Sequence, residues 1–220
     1  MDLLQHLPGC VLKAFQSFST PEEIINAASY AQGNEKVIYP FFNIEILRIL
    51  KNESLIGIGN GQIGMTKKDE IDCLLVYKNN ERVGIEIKGG PSNKSYLLAG
   101  STKKEIDIRF TSDGDKLKSD LKQCYDPAAN NIYFDSQIGD IIKLANLVNE
   151  GCISLGYSLG LLSYTDQSIN EKVLYREKLL SMCDLIKAQS SGLTFKFFSM
   201  DGTKYKTFIT ALEISRIYLL

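Results

Sequence analysis

The chain has 220 residues, with 25 Lys plus Arg against 26 Asp plus Glu, five Cys, no Trp and a single His, for a formal net charge of −1. A Ser-His-Asp triad, a Cys-His pair, a His-rich zinc site and a kinase-type His-Arg-Asp loop each need a positioned imidazole. Only His6 could supply one, so carboxylates, lysines and a bound metal are the expected carriers of any chemistry.

In chain order, Thr20-Pro21-Glu22-Glu23 has the form of a helix start, with a capping Thr, Pro at the first helical position and Glu23 able to close a capping box, so a helix is predicted to about Ala31. Pro40 is expected to open a second helix, Phe41 to Lys51, whose Phe42, Ile46, Ile49 and Leu50 recur at helical spacing, with Glu45 at the border of that stripe. The pattern then switches to period two. Leu55 to Ile58 and Gln62 to Thr66 flank Asn60-Gly61, a two-residue hairpin signal, and Ile71 to Tyr77 and Arg82 to Lys88 flank Asn79-Asn80. Residues Gly89 to Ser112 are rich in Gly, Ser and Lys, with a short strand expected at Ile106 to Phe110. Helices are predicted over Asp113 to Tyr125, Ser136 to Glu150 and Asn170 to Ala188, and a buried strand within Cys152 to Tyr164. A last hairpin pairs Leu193 to Ser199 with Lys204 to Leu212 around Asp201-Gly202. This order implies a mixed-sheet α/β or α+β sandwich in one domain spanning 1–220.

The five cysteines (Cys10, Cys73, Cys124, Cys152, Cys183) are dispersed and never form Cys-x-x-Cys, which argues against a disulfide framework or thiolate zinc site and favours a reducing, cytoplasmic setting. The longest uncharged stretch, Gly151 to Thr165, is shorter than the ~20 apolar residues needed to span a bilayer. No membrane association is expected, and the opening residues lack the basic flank of a signal peptide. Gly59-Asn60-Gly61-Gln62-Ile63-Gly64 matches G-x-G-x-x-G, but a dinucleotide site requires a helix to begin there. Met65 to Glu70 and another strand follow instead, so these glycines are read as serving a tight turn and close packing.

The chemistry concentrates in Asp69 to Tyr77 and Arg82 to Lys88. Val83, Ile85 and Ile87 point to one face of their strand, leaving Gly84, Glu86 and Lys88 on the other, and an antiparallel hairpin brings Asp72 alongside Glu86. Two carboxylates at ~4 Å in an effective dielectric near 20 repel by about 4 kcal/mol. A divalent cation removes that penalty, and oxygen donors with retained waters suit Mg²⁺, with Mn²⁺ as a substitute. A lysine beside such a cation could orient or deprotonate an attacking water. A bare Glu-x-Lys would also fit a solvated strand face carrying a cross-strand charge pair.

Asp72, a strand and turn, then Glu86-Ile87-Lys88, with the helical Glu45 upstream, resembles the signature of the PD-(D/E)XK, or restriction-endonuclease-like, nuclease superfamily. The predicted order over about 36–165 is similar to that family's core: helix, antiparallel meander carrying the motif, helix, strand. Ile71 stands where many members carry the Pro of the motif. The resemblance implies a central mixed sheet flanked by helices, with 166–220 added as a C-terminal helix and β-hairpin. It implies a metal held by Asp72, Glu86 and the Ile87 carbonyl, Glu45 assisting through the metal's water shell, and Lys88 handling the nucleophilic water. A Lys or Gln on the helix after the motif often faces the site in this superfamily, which points to Lys122 and Gln123. The implied activity is Mg²⁺-dependent hydrolysis of double-stranded DNA to 5′-phosphate and 3′-hydroxyl ends, in a type II restriction-like enzyme acting as a homodimer. A structure-specific, repair or RNA-directed nuclease, or a catalytically silent nucleic-acid-binding subunit, are the alternatives.

Between Lys78 and Lys122 ten basic residues face seven acidic ones, a local excess of positive charge suited to a phosphate backbone, with Lys103, Lys104 and Arg109 as candidate contacts. Phe195, Phe197, Phe198, Tyr205 and Phe208 could stack on bases but are better read as core.

Overall fold

The computed structural model describes residues 2–18, 34–50, 54–62, 70–89, 137–163, 192–202 and 207–217, with isolated helical positions between 173 and 187. Among the described residues three helices, α1 (Leu3–Gln16), α2 (Asn34–Ile49) and α3 (Gln137–Asn149), accompany six strands: β1 (Leu55–Gln62), β2 (Glu70–Tyr77), β3 (Arg82–Gly89), β4 (Leu155–Ser163), β5 (Leu193–Gly202) and β6 (Thr207–Arg216). The strands form one mixed sheet in the order β1-β2-β3-β4-β6-β5. β3 and β4 are parallel, with α3 between them in chain order, and the other described pairings are antiparallel. The architecture is thus α+β around a mixed six-stranded sheet. Among the described residues, no helix is long and apolar enough to cross a membrane.

Alternation along the strands divides the apolar side chains into two cores. Cys73, Leu75, Val83, Ile85, Ile87, Tyr157, Leu159, Ile209 and Ala211 pack against α1 and α2. Leu212 and Ile214 lie on the other face, packed against α3 and against Leu179, Cys183 and Ile186 of the helical positions near the C-terminal part. α1 escapes the sequence pattern read above, yet its buried Leu3, Leu7, Cys10, Val11 and Ala14 follow helical spacing, and Asp2 Oδ1 caps it by accepting the Leu4 N–H at 3.2 Å. His6 is exposed on this helix.

Several predicted boundaries move. α2 begins at Asn34, not at Pro40, which lies exposed inside it. The reason is Ile38, buried one turn ahead of Phe42 and Ile46, whose burial carries the helix back across the proline. Asn60-Gly61 makes no hairpin: β1 runs on through it, still paired with β2, and the irregularity is absorbed as a register shift between Gly59 and Gly61, with Gly59 at φ 145°. At Asn79-Asn80 the expected turn forms, Asn80 taking φ 65° and Asn79 Oδ1 accepting the Glu81 N–H at 3.1 Å. The C-terminal strands extend to Gly202 and from Thr207, which pair with each other, so Asp201-Gly202 belongs to the ladder and not to a turn. They are not an appendage, since β6 pairs along its length with β4 and continues the central sheet. The helices predicted over 20–31 and 113–125 and the short strand at 106–110 lie outside the described residues.

On the α3 side the sheet carries a notch. Gly84 and Gly156 are partners across the β3–β4 ladder. Leu144 sits over both: a Cβ on Gly84 would lie 3.3 Å from Leu144 Cδ2, and one on Gly156 would lie 3.0 Å from Leu144 Cβ. The absent side chains let α3 seat close to the sheet. On the opposite face the Tyr157 hydroxyl donates to Glu213 Oε2 at 2.9 Å, and Lys196 donates to Glu213 Oε1 at 2.8 Å, a polar row across β4, β6 and β5.

Two predictions follow from this packing. Gly156→Val should lower unfolding free energy by about 1–3 kcal/mol through overpacking against Leu144, read as a lower denaturation midpoint in urea. Burial pushes the Cys10 thiol up to about 11 and the Cys73 and Cys183 thiols up to about 12. In the folded protein at pH 8 these three should therefore stay protonated and resist iodoacetamide longer than half-buried Cys152, as followed by mass spectrometry.

Candidate functional site

The β2–β3 ladder runs from Val76↔Arg82 to Cys73↔Ile85. At the next position Asp72 turns its carboxylate to the neighbouring strand, where Oδ2 accepts the Ile87 backbone N–H at 2.9 Å. That bond ties Asp72 to β3 beside Glu86, which is 3 % exposed and, by alternation with the buried Ile85 and Ile87, faces α3. Lys88 follows on the same face, half-buried. The structure thus sets Asp72 beside Glu86, with Lys88 two residues further along the same strand.

Two further charged residues enter from α3. Gln137, Asp140, Ile141, Leu144 and Val148 are all buried at helical spacing, so the sheet-facing stripe of this helix is polar in its first turn and apolar after it. With Leu144 seated in the glycine notch, Asp140 and Lys143 reach the Glu86 region. Lys143 Nζ forms an ion pair with Glu86 Oε1 and also donates to the Glu70 carbonyl at 2.9 Å. Burial, then the charges of Asp72 and Asp140, push the Glu86 carboxyl well above the usual glutamate range, and Lys143 offsets them only in part. Burial opposes the Lys143 ammonium, but Glu86, Asp140 and Asp72 outweigh it and hold its pKa above the ordinary lysine value.

A neutral polar cluster adjoins the charges. Ser158 is the β4 partner of Glu86. Its Oγ is buried and has no hydrogen-bond partner among the described residues. Gln137 Nε2 donates to the Ser158 carbonyl at 3.4 Å and to Thr210 Oγ1 at 3.3 Å, and the Thr210 hydroxyl reaches the Gly160 carbonyl at 3.4 Å.

Glu45 lies elsewhere. α2 packs on the face of β3 that carries Val83, Ile85 and Ile87, opposite to Glu86. The Glu45 carboxylate there pairs with Arg48 and, at 3.8 Å, with Lys13, beside an open pocket of about 400 Å³ lined also by Gln16 and Ser17. Lys103, Lys104, Arg109, Lys122 and Gln123 lie outside the described residues. Lys143 and Asp140 were not singled out in the sequence, although the helix expected over Ser136 to Glu150 contains them, because the site-facing Lys or Gln was sought on the helix expected over 113–125, which lies outside the described residues. Their signal was the pair of polar residues, Gln137 and Asp140, on an otherwise apolar helical stripe.

Apart from the Lys143 ammonium, the polar side-chain atoms that Asp72, Asp140 and Ser158 bring to the Glu86 region are oxygens, which suit a hard divalent cation over a soft one. An elevated Glu86 carboxyl flanked by two other acids, and an orphaned Ser158 hydroxyl beside it, fit added positive charge at this point. Among the described residues no group of three or more His, Cys, Asp or Glu side chains is arranged to hold a metal ion. Phe208 is buried, while Phe195, Phe197 and Phe198 are partly buried against the two cores and Arg176 lies over the Phe197 ring at 5.5 Å, a packing role. No family model matches the chain, and no curated protein or solved structure matches it either.

The elevated Glu86 carboxyl sets a pH dependence. The folded state holds this proton more tightly than the unfolded chain, so the group's contribution to stability is fully present below the ordinary value of 4.5 and is lost as pH rises through the folded pKa. In chelator-treated buffer, Glu86→Gln should match the wild type in melting temperature near pH 4 and increasingly exceed it toward pH 8.

Proposed function

We propose that this chain is a metal-dependent nuclease of the restriction-endonuclease-like class, hydrolysing double-stranded DNA. The observation that carries the reading is the meeting of Asp72 and Glu86 in one electrostatic pocket, with Lys88 on the same face. The arrangement of elements supports it: a helix, an antiparallel meander bearing the acidic pair, a helix crossing back, and a strand parallel to the one that carries Glu86. That is the order expected of the core of the superfamily that Asp72 and Glu86-Ile87-Lys88 resemble.

In this reading Asp72, Glu86 and the Ile87 carbonyl hold Mg²⁺ or Mn²⁺, which when bound neutralises charge on the phosphoryl group and acidifies water. The Ile87 N–H fixes the Asp72 carboxylate in place, so that orientation does not have to be found anew at each encounter. Lys88 orients the attacking water and takes its proton, a role that needs an amine on the face shared with Glu86. Lys143 and Asp140 act from α3 by setting the charge state of Glu86. Lys103, Lys104 and Arg109 fall within the stretch of local positive excess and are the proposed backbone contacts, and cutting of both strands is assigned to a homodimer.

The test is cleavage of supercoiled plasmid, single-stranded DNA and RNA by the purified chain in Mg²⁺ or Mn²⁺. Plasmid should be nicked and linearised, and Asp72→Ala, Glu86→Ala and Lys88→Ala should each reduce the rate by at least about a hundredfold. His6→Ala, on the exposed face of α1, should cut like the wild type. If the wild type leaves all three substrates intact, the enzyme reading fails in favour of a silent binding subunit. Cleavage that persists in Asp72→Ala and Lys88→Ala would instead overturn the site.

A further inference from the structure

The Lys143 ammonium is paired with the same carboxylate that the proposed divalent cation would use. It pairs with Glu86 Oε1, takes the Glu70 carbonyl as a second acceptor at 2.9 Å, and is surrounded by the charges of Glu86, Asp140 and Asp72. Among the described residues, the charges that act on Glu86 are those of Asp72 and Asp140 and, with the opposite sign, the Lys143 ammonium, in a place where the Glu86 side chain is only 4 % exposed. A second, independent feature points to a missing occupant: Ser158 Oγ, buried in the adjoining register position on the same face, has no hydrogen-bond partner among the described residues. Lys143 is not sealed in. Its side chain is 21 % exposed, and a four-carbon stem lets the ammonium swing to solvent while its methylenes stay against α3.

A divalent ion on Glu86 and an ammonium on the same carboxylate repel each other at contact distance in a poorly solvated site. We propose that Lys143 is a resident counter-ion that competes with the divalent cation for Glu86, and that metal entry expels the ammonium toward solvent. The inference rests on the reading of Asp72 and Glu86 as the metal-holding pair. Lys143 then has two states: inward, neutralising the carboxylates while no metal is present, and outward, on the rim of the loaded site, where it adds positive charge to a surface that meets phosphate. This sets it apart from Lys88, which acts on the loaded site.

Calorimetric titration with Mn²⁺ and chemical labelling of the wild type test the idea without any cleavage assay. Lys143→Met and Lys143→Gln should bind Mn²⁺ on the order of tenfold more tightly than the wild type, because nothing has to be displaced. In the wild type, acetylation of Lys143 followed by mass spectrometry should rise when Mn²⁺ is added, and this readout stands even if both substitutions prevent folding. Mn²⁺ affinity in the folded variants that is unchanged or weaker, or Lys143 acetylation that stays level or falls on Mn²⁺ addition, overturns the competition and leaves the metal pair standing. Absence of Mn²⁺ binding in the wild type and in both Lys143 variants overturns the metal reading along with it.

Discussion

The arrangement of the candidate site depends on one steric constraint, the seat of Leu144 over two adjacent glycines. Gly84 and Gly156 face each other across the parallel β3–β4 ladder, and a side chain on either would press against Leu144. Because neither has one, α3 lies near enough for its first turns to touch the sheet. Everything polar that α3 contributes, from Gln137 to Asp140 and Lys143, is delivered by that docking. The apolar half of the helix sets the distance, and the polar half uses it.

With the helix placed, electrostatics takes over. Glu86 is buried among like charges, a condition that a protein interior tolerates only when the group keeps its proton or gains a cation. Lys143 provides one. On the opposite face Glu213, also buried, is satisfied by the Tyr157 hydroxyl and Lys196. The two glutamates lie on one sheet at similar burial. Glu213 faces a hydroxyl donor and an exposed lysine, a closed arrangement that asks for nothing more. Glu86 faces two further acids and a hydroxyl that has no partner among the described residues, and Lys143 offsets their charge only in part.

Much of this was legible from residues alone. The alternation of Val83, Ile85 and Ile87 against Gly84, Glu86 and Lys88 assigned faces correctly, and Asn79-Asn80 marked its turn because Asn accepts the left-handed conformation seen at Asn80. The approach of Asp72 to Glu86 followed from antiparallel pairing. What could not be read was set by tertiary packing. Asn60-Gly61 has the local chemistry of a hairpin, but continued pairing with β2 overrides it. Pro40 looks like a helix opener until the burial of Ile38 is known. Glu45 sits at the border of its helix's buried stripe as expected, yet which side of the sheet that stripe would cover is a matter of topology, and α2 took the side away from Glu86. Lys143 was hidden for a related reason, since its meaning depends on which helix crosses from β3 to β4.

β4 shows how little freedom the middle of this sheet retains. Tyr157 reaches Glu213 on one side and Ser158 stands beside Glu86 on the other, so consecutive residues belong to unrelated polar systems. A slip of one residue would place the phenol in the glycine-lined space beneath α3 and the small hydroxyl in the aromatic core, leaving Glu213 without its donor. Alternative pairings of this strand are therefore penalised from both faces at once. One strand thus carries the register for both cores, because each face of the sheet closes only on the side chains that this threading presents to it.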